Sequence, residues 1–134
     1  MNSLQNLLKE FEREPPAGED AIEKAQDALG FRFPAEYADF LRMSNGGEGF
    51  LGPERYLMLW PVEELAESNQ DYEVDAMAPG LVLFGSSGGG TAYAFERGSG
   101  AIVDLPITPL EGSRRRTLAA GFVEFLSVLA AGRA

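Results

Sequence analysis

Two stretches of this 134-residue chain hold residues whose types and spacing could do chemistry: Gly85-Ser86-Ser87-Gly88-Gly89-Gly90-Thr91 and Asp71-Tyr72-Glu73-Val74-Asp75. The first has the glycines of a phosphate cradle. Such a cradle also needs a lysine and a hydroxyl after its glycines, and then a helix whose first amides face the anion. Here the glycines run instead into Thr91-Ala92-Tyr93-Ala94-Phe95, with aromatics at every second position, and they follow the apolar run Leu81-Val82-Leu83-Phe84. That pattern predicts two strands joined by a glycine turn. The second stretch alternates acid and apolar residues, so an extended backbone would set its three carboxylates on one side, as a phosphate decoy or a calcium loop. The calcium reading lacks the glycine and the distant glutamate of an EF-hand. A solvated loop is the plainer expectation.

Histidine and cysteine are absent from the chain. This removes Cys/His proteases, Ser-His-Asp triads, disulfides and the usual zinc sites together. A serine with a lysine base would have to use Lys9 or Lys24, the only lysines, and both lie in amphipathic segments where solvation is the expected role. Hydrolysis by paired carboxylates has acids enough, but no pair is singled out by the pattern. The expectation is a protein with no catalytic residue, metal or cofactor.

Charge is more telling. The net charge is −10, and no lysine or arginine occurs between Arg55 and Arg97. That interval holds Glu63, Glu64, Glu67, Asp71, Glu73, Asp75 and Glu96, whereas residues 97–134 are net +2. A negative field of this kind repels nucleic acid and anionic membranes and attracts basic proteins. The residues expected to bind a partner are therefore Glu63, Glu64, Glu67, Asp71, Glu73 and Asp75. No apolar run reaches the length of a bilayer span, and the N-terminal residues are too polar for a signal peptide, so the expected location is cytoplasmic.

The elements that must position these acids can be read in part. Leu4, Leu7, Leu8 and Phe11 recur at helical spacing before Pro15-Pro16. A second helix runs from Gly18-Glu19-Asp20 to Gly30, and a third follows Pro34 through Tyr37, Phe40 and Leu41 to Asn45-Gly46-Gly47. Residues 46–53 read as a loop, 56–60 as a buried strand and 61–65 as a short helix, while 69–79 read as a polar surface loop. The glycine hairpin and a strand over 101–105 follow. Leu118, Phe122, Phe125, Leu126 and Leu129 then predict a closing helix, with Gly121 inside it and Arg114-Arg115-Arg116 at its unfavourable positive end. Those arginines are expected to be paired within the chain or solvated, and Trp60 to cap the core from a strand end. Short glycine turns make antiparallel neighbours. The fold class is therefore α+β: one domain over residues 1–134, with a mainly antiparallel sheet of about four to six strands covered by helices.

Three segments together resemble the SUKH superfamily. They are Leu29-Gly30-Phe31-Arg32-Phe33-Pro34-Ala35-Glu36-Tyr37 leading to Asn45-Gly46-Gly47, then Phe84 to Phe95 with the glycine hairpin, then Gly100 to Pro106, with the closing helix behind. The likeness covers about residues 19–130, nearly the whole chain. It implies a binding module without catalytic residues. Many members are bacterial immunity proteins that bind and neutralise polymorphic toxins, often nucleases, and fungal regulators of cell-wall synthesis belong to it as well. Members often carry an acid before the hairpin glycines, where this chain has Ser86-Ser87. The resemblance thus gives two expectations: an immunity protein bound to a basic toxin domain, or a regulatory adaptor for endogenous partners.

Overall fold

Strands from both halves of the chain build the sheet on which everything else packs. The computed structural model describes residues 7–52 and 55–132. Among the described residues seven strands lie in sequence order, every neighbour antiparallel: β1 (Phe11–Arg13), β2 (Gly47–Leu51), β3 (Arg55–Leu59), β4 (Leu81–Ser86), β5 (Thr91–Glu96), β6 (Ile102–Pro106) and β7 (Arg116–Ala119). The helices are α1 (Glu19–Leu29), α2 (Ala35–Met43), α3 (Leu65–Asp71), α4 (Val74–Met77) and α5 (Phe122–Ala130). The α+β class is as expected, but seven strands exceed the four to six anticipated.

The extra strands have physical reasons. Phe11 does not continue a helix from Leu7 and Leu8; it opens β1, and Leu4 lies outside the described residues. Glycine-rich Gly47-Glu48-Gly49-Phe50-Leu51 is a strand and not a loop, because its glycines let β1 approach. A Cβ on Gly47, whose φ is 125°, would meet the Glu12 carbonyl oxygen at 2.5 Å and the Phe11 ring at 2.7 Å. Leu118 belongs to β7 rather than to the last helix. Gly121 is likewise not inside that helix but at its N-cap, where the Glu36 carboxylate accepts from the Val123 amide at 3.0 Å. Glu124 accepts from the Ala120 amide at 2.8 Å. One carboxylate therefore satisfies an amide that the first turn of the helix leaves open, and the other an amide just before the cap.

Alternation along β4 and β5 sends Val82, Phe84, Tyr93 and Phe95 to one face, beneath α1, α2 and α5. Leu81, Leu83, Ala92 and Ala94 go to the other, beneath Val74, Ala78 and Leu110. At the centre of the larger core, the ring of Tyr37 packs against Phe33, Phe84, Phe95 and Phe122 with centroids 5.0–5.6 Å apart. Its hydroxyl is buried with no hydrogen-bond partner among the described residues, and burial pushes its pKa well above the ordinary tyrosine value.

A buried hydroxyl without a partner costs about 1–3 kcal/mol. Tyr37→Phe should therefore keep the fold and raise the unfolding free energy by about 1 kcal/mol, measured by urea denaturation. A loss of stability instead would mean that the hydroxyl is satisfied in solution.

Candidate functional site

The acidic segment lies on the 21-residue connection 60–80 between β3 and β4. These strands pair only at Met58↔Ser86 and Leu59↔Gly85, so the rest of the β4 edge must be satisfied some other way. Asn69 does this from α3. Its side-chain oxygen accepts from the Leu83 amide at 2.8 Å, and its nitrogen donates to the carbonyls of Leu83 at 2.9 Å and Leu65 at 2.8 Å. The amide stands in for a strand residue and fixes α3 against the sheet.

A second amide holds the other end of the segment. Pro61 leads into a 3-10 turn, Val62–Glu64, continuous with α3. The Asn45 side chain accepts from the Val62 amide at 2.8 Å and donates to the Glu63 carboxylate at 2.7 Å. Asn45 can reach because a Cβ on Gly46 would meet the Leu59 carbonyl oxygen at 2.5 Å, so only glycine permits that approach to β3. Asn45-Gly46-Gly47 is thus at once the stop of α2, the clamp on the acidic segment and the start of β2. Apolar anchors complete the attachment: Val62, Leu65 and Val74 are buried, and Trp60 packs on both cores while stacking on Tyr72 at 6.1 Å.

On this frame all six expected acids are exposed. Glu63, Glu67 and Asp71 recur at four-residue spacing along one side, with Glu64 beside them. Asp71-Tyr72-Glu73-Val74-Asp75 is not extended, which corrects the reading of three carboxylates in line and of a loop over 69–79. The chain leaves α3 at Asp71, turns at Glu73 with φ 52° and ψ 44°, and enters α4. The cause is Val74, which must reach the second core. Glu73 and Asp75 consequently separate from the other acids and border a hollow of about 570 Å³ with Asn69, Gln70 and Arg97. Glu63 faces another of about 460 Å³ with Asp20 and Lys24.

Three of the arginines are committed elsewhere. Among the described residues, ion pairs join Arg42 to Glu19 and Asp39, Arg115 to Glu96 at 3.4 Å, and Arg116 to Asp104 at 2.8 Å. Arg115 and Arg116 are therefore paired within the chain, one before and one within β7, and not at the start of the closing helix. Among the described residues no ion pair takes a carboxylate from the segment 63–75, and only Glu63 of its acids has a side-chain hydrogen bond. Nor does any group of three acids there converge enough to hold a metal ion. What the sequence did not disclose was the pair of amide clamps; the only signal was an asparagine before Gly46-Gly47 and another amid acids.

Removing the clamp at Asn69 leaves two Leu83 backbone groups unpaired. Asn69→Ala should lower the unfolding free energy by about 2 kcal/mol, seen in thermal or urea melts. Asn69→Asp, which replaces the donor with an oxygen facing two carbonyls, should be worse still.

No helix among the described residues is long and apolar enough to cross a membrane. No curated protein matches the chain significantly. A family model does match, over residues 16–128: the SMI1 / KNR4 family (SUKH-1). That span holds both asparagine clamps, the acidic segment, the glycine hairpin and nearly all of the closing helix. The chain belongs to the SMI1 / KNR4 family (SUKH-1).

Proposed function

We propose that this protein is a non-catalytic immunity-type inhibitor that binds a cognate basic toxin domain in the cytoplasm through Glu63, Glu64, Glu67, Asp71, Glu73 and Asp75. One observation carries the reading: six exposed carboxylates lie on a short, doubly clamped segment, and none is neutralised by a described arginine or lysine. An enzyme that holds nucleic acid must be cationic where it grips phosphates. A rigid negative surface competes for that groove by long-range attraction and excludes substrate by bulk. Such an inhibitor needs no nucleophile, in keeping with a chain that has no histidine or cysteine. Family membership favours a binding role, immunity or regulatory.

A regulatory adaptor for endogenous proteins would use the same surface, and genomic neighbourhood separates the two. A toxin gene beside this one supports immunity, whereas isolation among housekeeping genes supports the adaptor.

Replacing Asp71, Glu73 and Asp75 together by lysine should slow association with the partner by about tenfold at low salt and flatten its salt dependence, measured by stopped-flow mixing. Unchanged kinetics would place the interface elsewhere. Glu73 supplies a separate test, since a non-glycine residue in the left-handed region carries strain of about 1 kcal/mol or more. Glu73→Gly should stabilise the isolated protein in a thermal melt while weakening partner binding.

A further inference from the structure

Among the described residues, the back face of the sheet is only half covered. Val74, Ala78 and Leu110 close it over β4, β5 and β6. Over β1 to β3 the outward residues are Glu12, Glu48, Phe50, Tyr56 and Met58, alternating with Leu51, Leu57 and Leu59, which point into the larger core. Phe50 is 49% exposed, its ring edge-on to Tyr56 at 5.1 Å. The Tyr56 hydroxyl donates to Glu48. Glu12 lies directly across from Glu48 in register, and Met58 directly across from Glu48 on the other side.

This arrangement has a cost that the Tyr56 hydrogen bond to Glu48 offsets only in part. Like charges directly opposite on neighbouring strands repel, and no described ion pair uses Glu12 or Glu48. Their field is felt nearby: the hydrogen bond to Glu48, then burial, then the charges of Glu48 and Glu12 raise the Tyr56 pKa. Beside them stand an exposed phenyl ring and a half-exposed phenol, the groups over which arginine and lysine stack favourably. We infer that the uncovered β1–β3 face is a second protein-binding surface, taking a basic segment of a partner whose arginine or lysine sits between Glu12 and Glu48 and against Phe50 and Tyr56. A second copy of this chain does not suit it, because each copy carries net charge −10 and would bring the same acids to the contact. Nucleic acid is disfavoured for the same reason. The inference is independent of the Glu63–Asp75 reading, since the two surfaces share no residue.

The test uses the intact protein and a seven-residue peptide alternating arginine and leucine, titrated with amide chemical shifts as the readout. Shifts are expected at residues 47–51 and 55–58. Phe50→Ser, which leaves net charge unchanged at a solvent-exposed position, should weaken binding at least fivefold, as should the Glu12→Gln, Glu48→Gln pair. The same peptide with glutamate for arginine should not bind. Shifts confined to residues 63–75, or a Phe50→Ser variant that binds as tightly as the original, would overturn the inference. So would concentration-dependent dimerisation abolished by Phe50→Ser.

Discussion

The constraint on which the rest of this structure depends is the open edge of β4. After two residue pairs, β3 and β4 part, and a strand edge in the middle of a buried sheet has to find partners for its amides and carbonyls. The chain meets this need with the side chain of Asn69, which hydrogen-bonds Leu83 as a strand would. Because the substitute comes from a helix, the sheet can carry a helical insertion at that point. The insertion is where the protein concentrates its unpaired acids. Asn45 secures the other end. An acidic surface built this way is held by the core and not by its own charges.

That division of labour bears on function. Clustered carboxylates repel one another and favour opening, so a segment held only by surface contacts would open to relieve the repulsion. Burial of Val62, Leu65 and Val74 opposes this by anchoring the backbone that carries the acids. Glu73 marks the tension: its left-handed backbone is the turn that lets Val74 reach the second core. On the proposed reading, a pre-set negative surface would lose little freedom on meeting a cationic partner, and its field would guide the encounter.

Much of this was legible in the sequence. Capping glycines and the 3–4 spacing of Ile22, Ala25 and Leu29 gave α1, the stripe Tyr37, Phe40, Leu41 gave α2, and period-two aromatics gave the hairpin. Exposure of the six acids was legible too, from local charge alone. The failures share a cause: tertiary contacts decided where local patterns were ambiguous. Gly47 and Gly49 read as loop residues, yet they are strand residues chosen for close approach. Leu118 falls at helical spacing from Phe122 although a strand end and the Gly121 cap separate them. The polar run after Asn69 hides two residues with core duties, Val74 and Ala78. Hydrogen-bond clamps by asparagine leave almost no trace in a hydrophobicity pattern.

The proposed contact is direct, between the carboxylates of the segment 63–75 and a cationic protein. Zero-length carbodiimide coupling of the complex with the partner retained from native cells, followed by peptide mass spectrometry, reads this out residue by residue. Amide links are expected from Glu64, Glu67, Asp71 and Asp75 to lysines of the partner. A stable complex whose links avoid that segment altogether would contradict it.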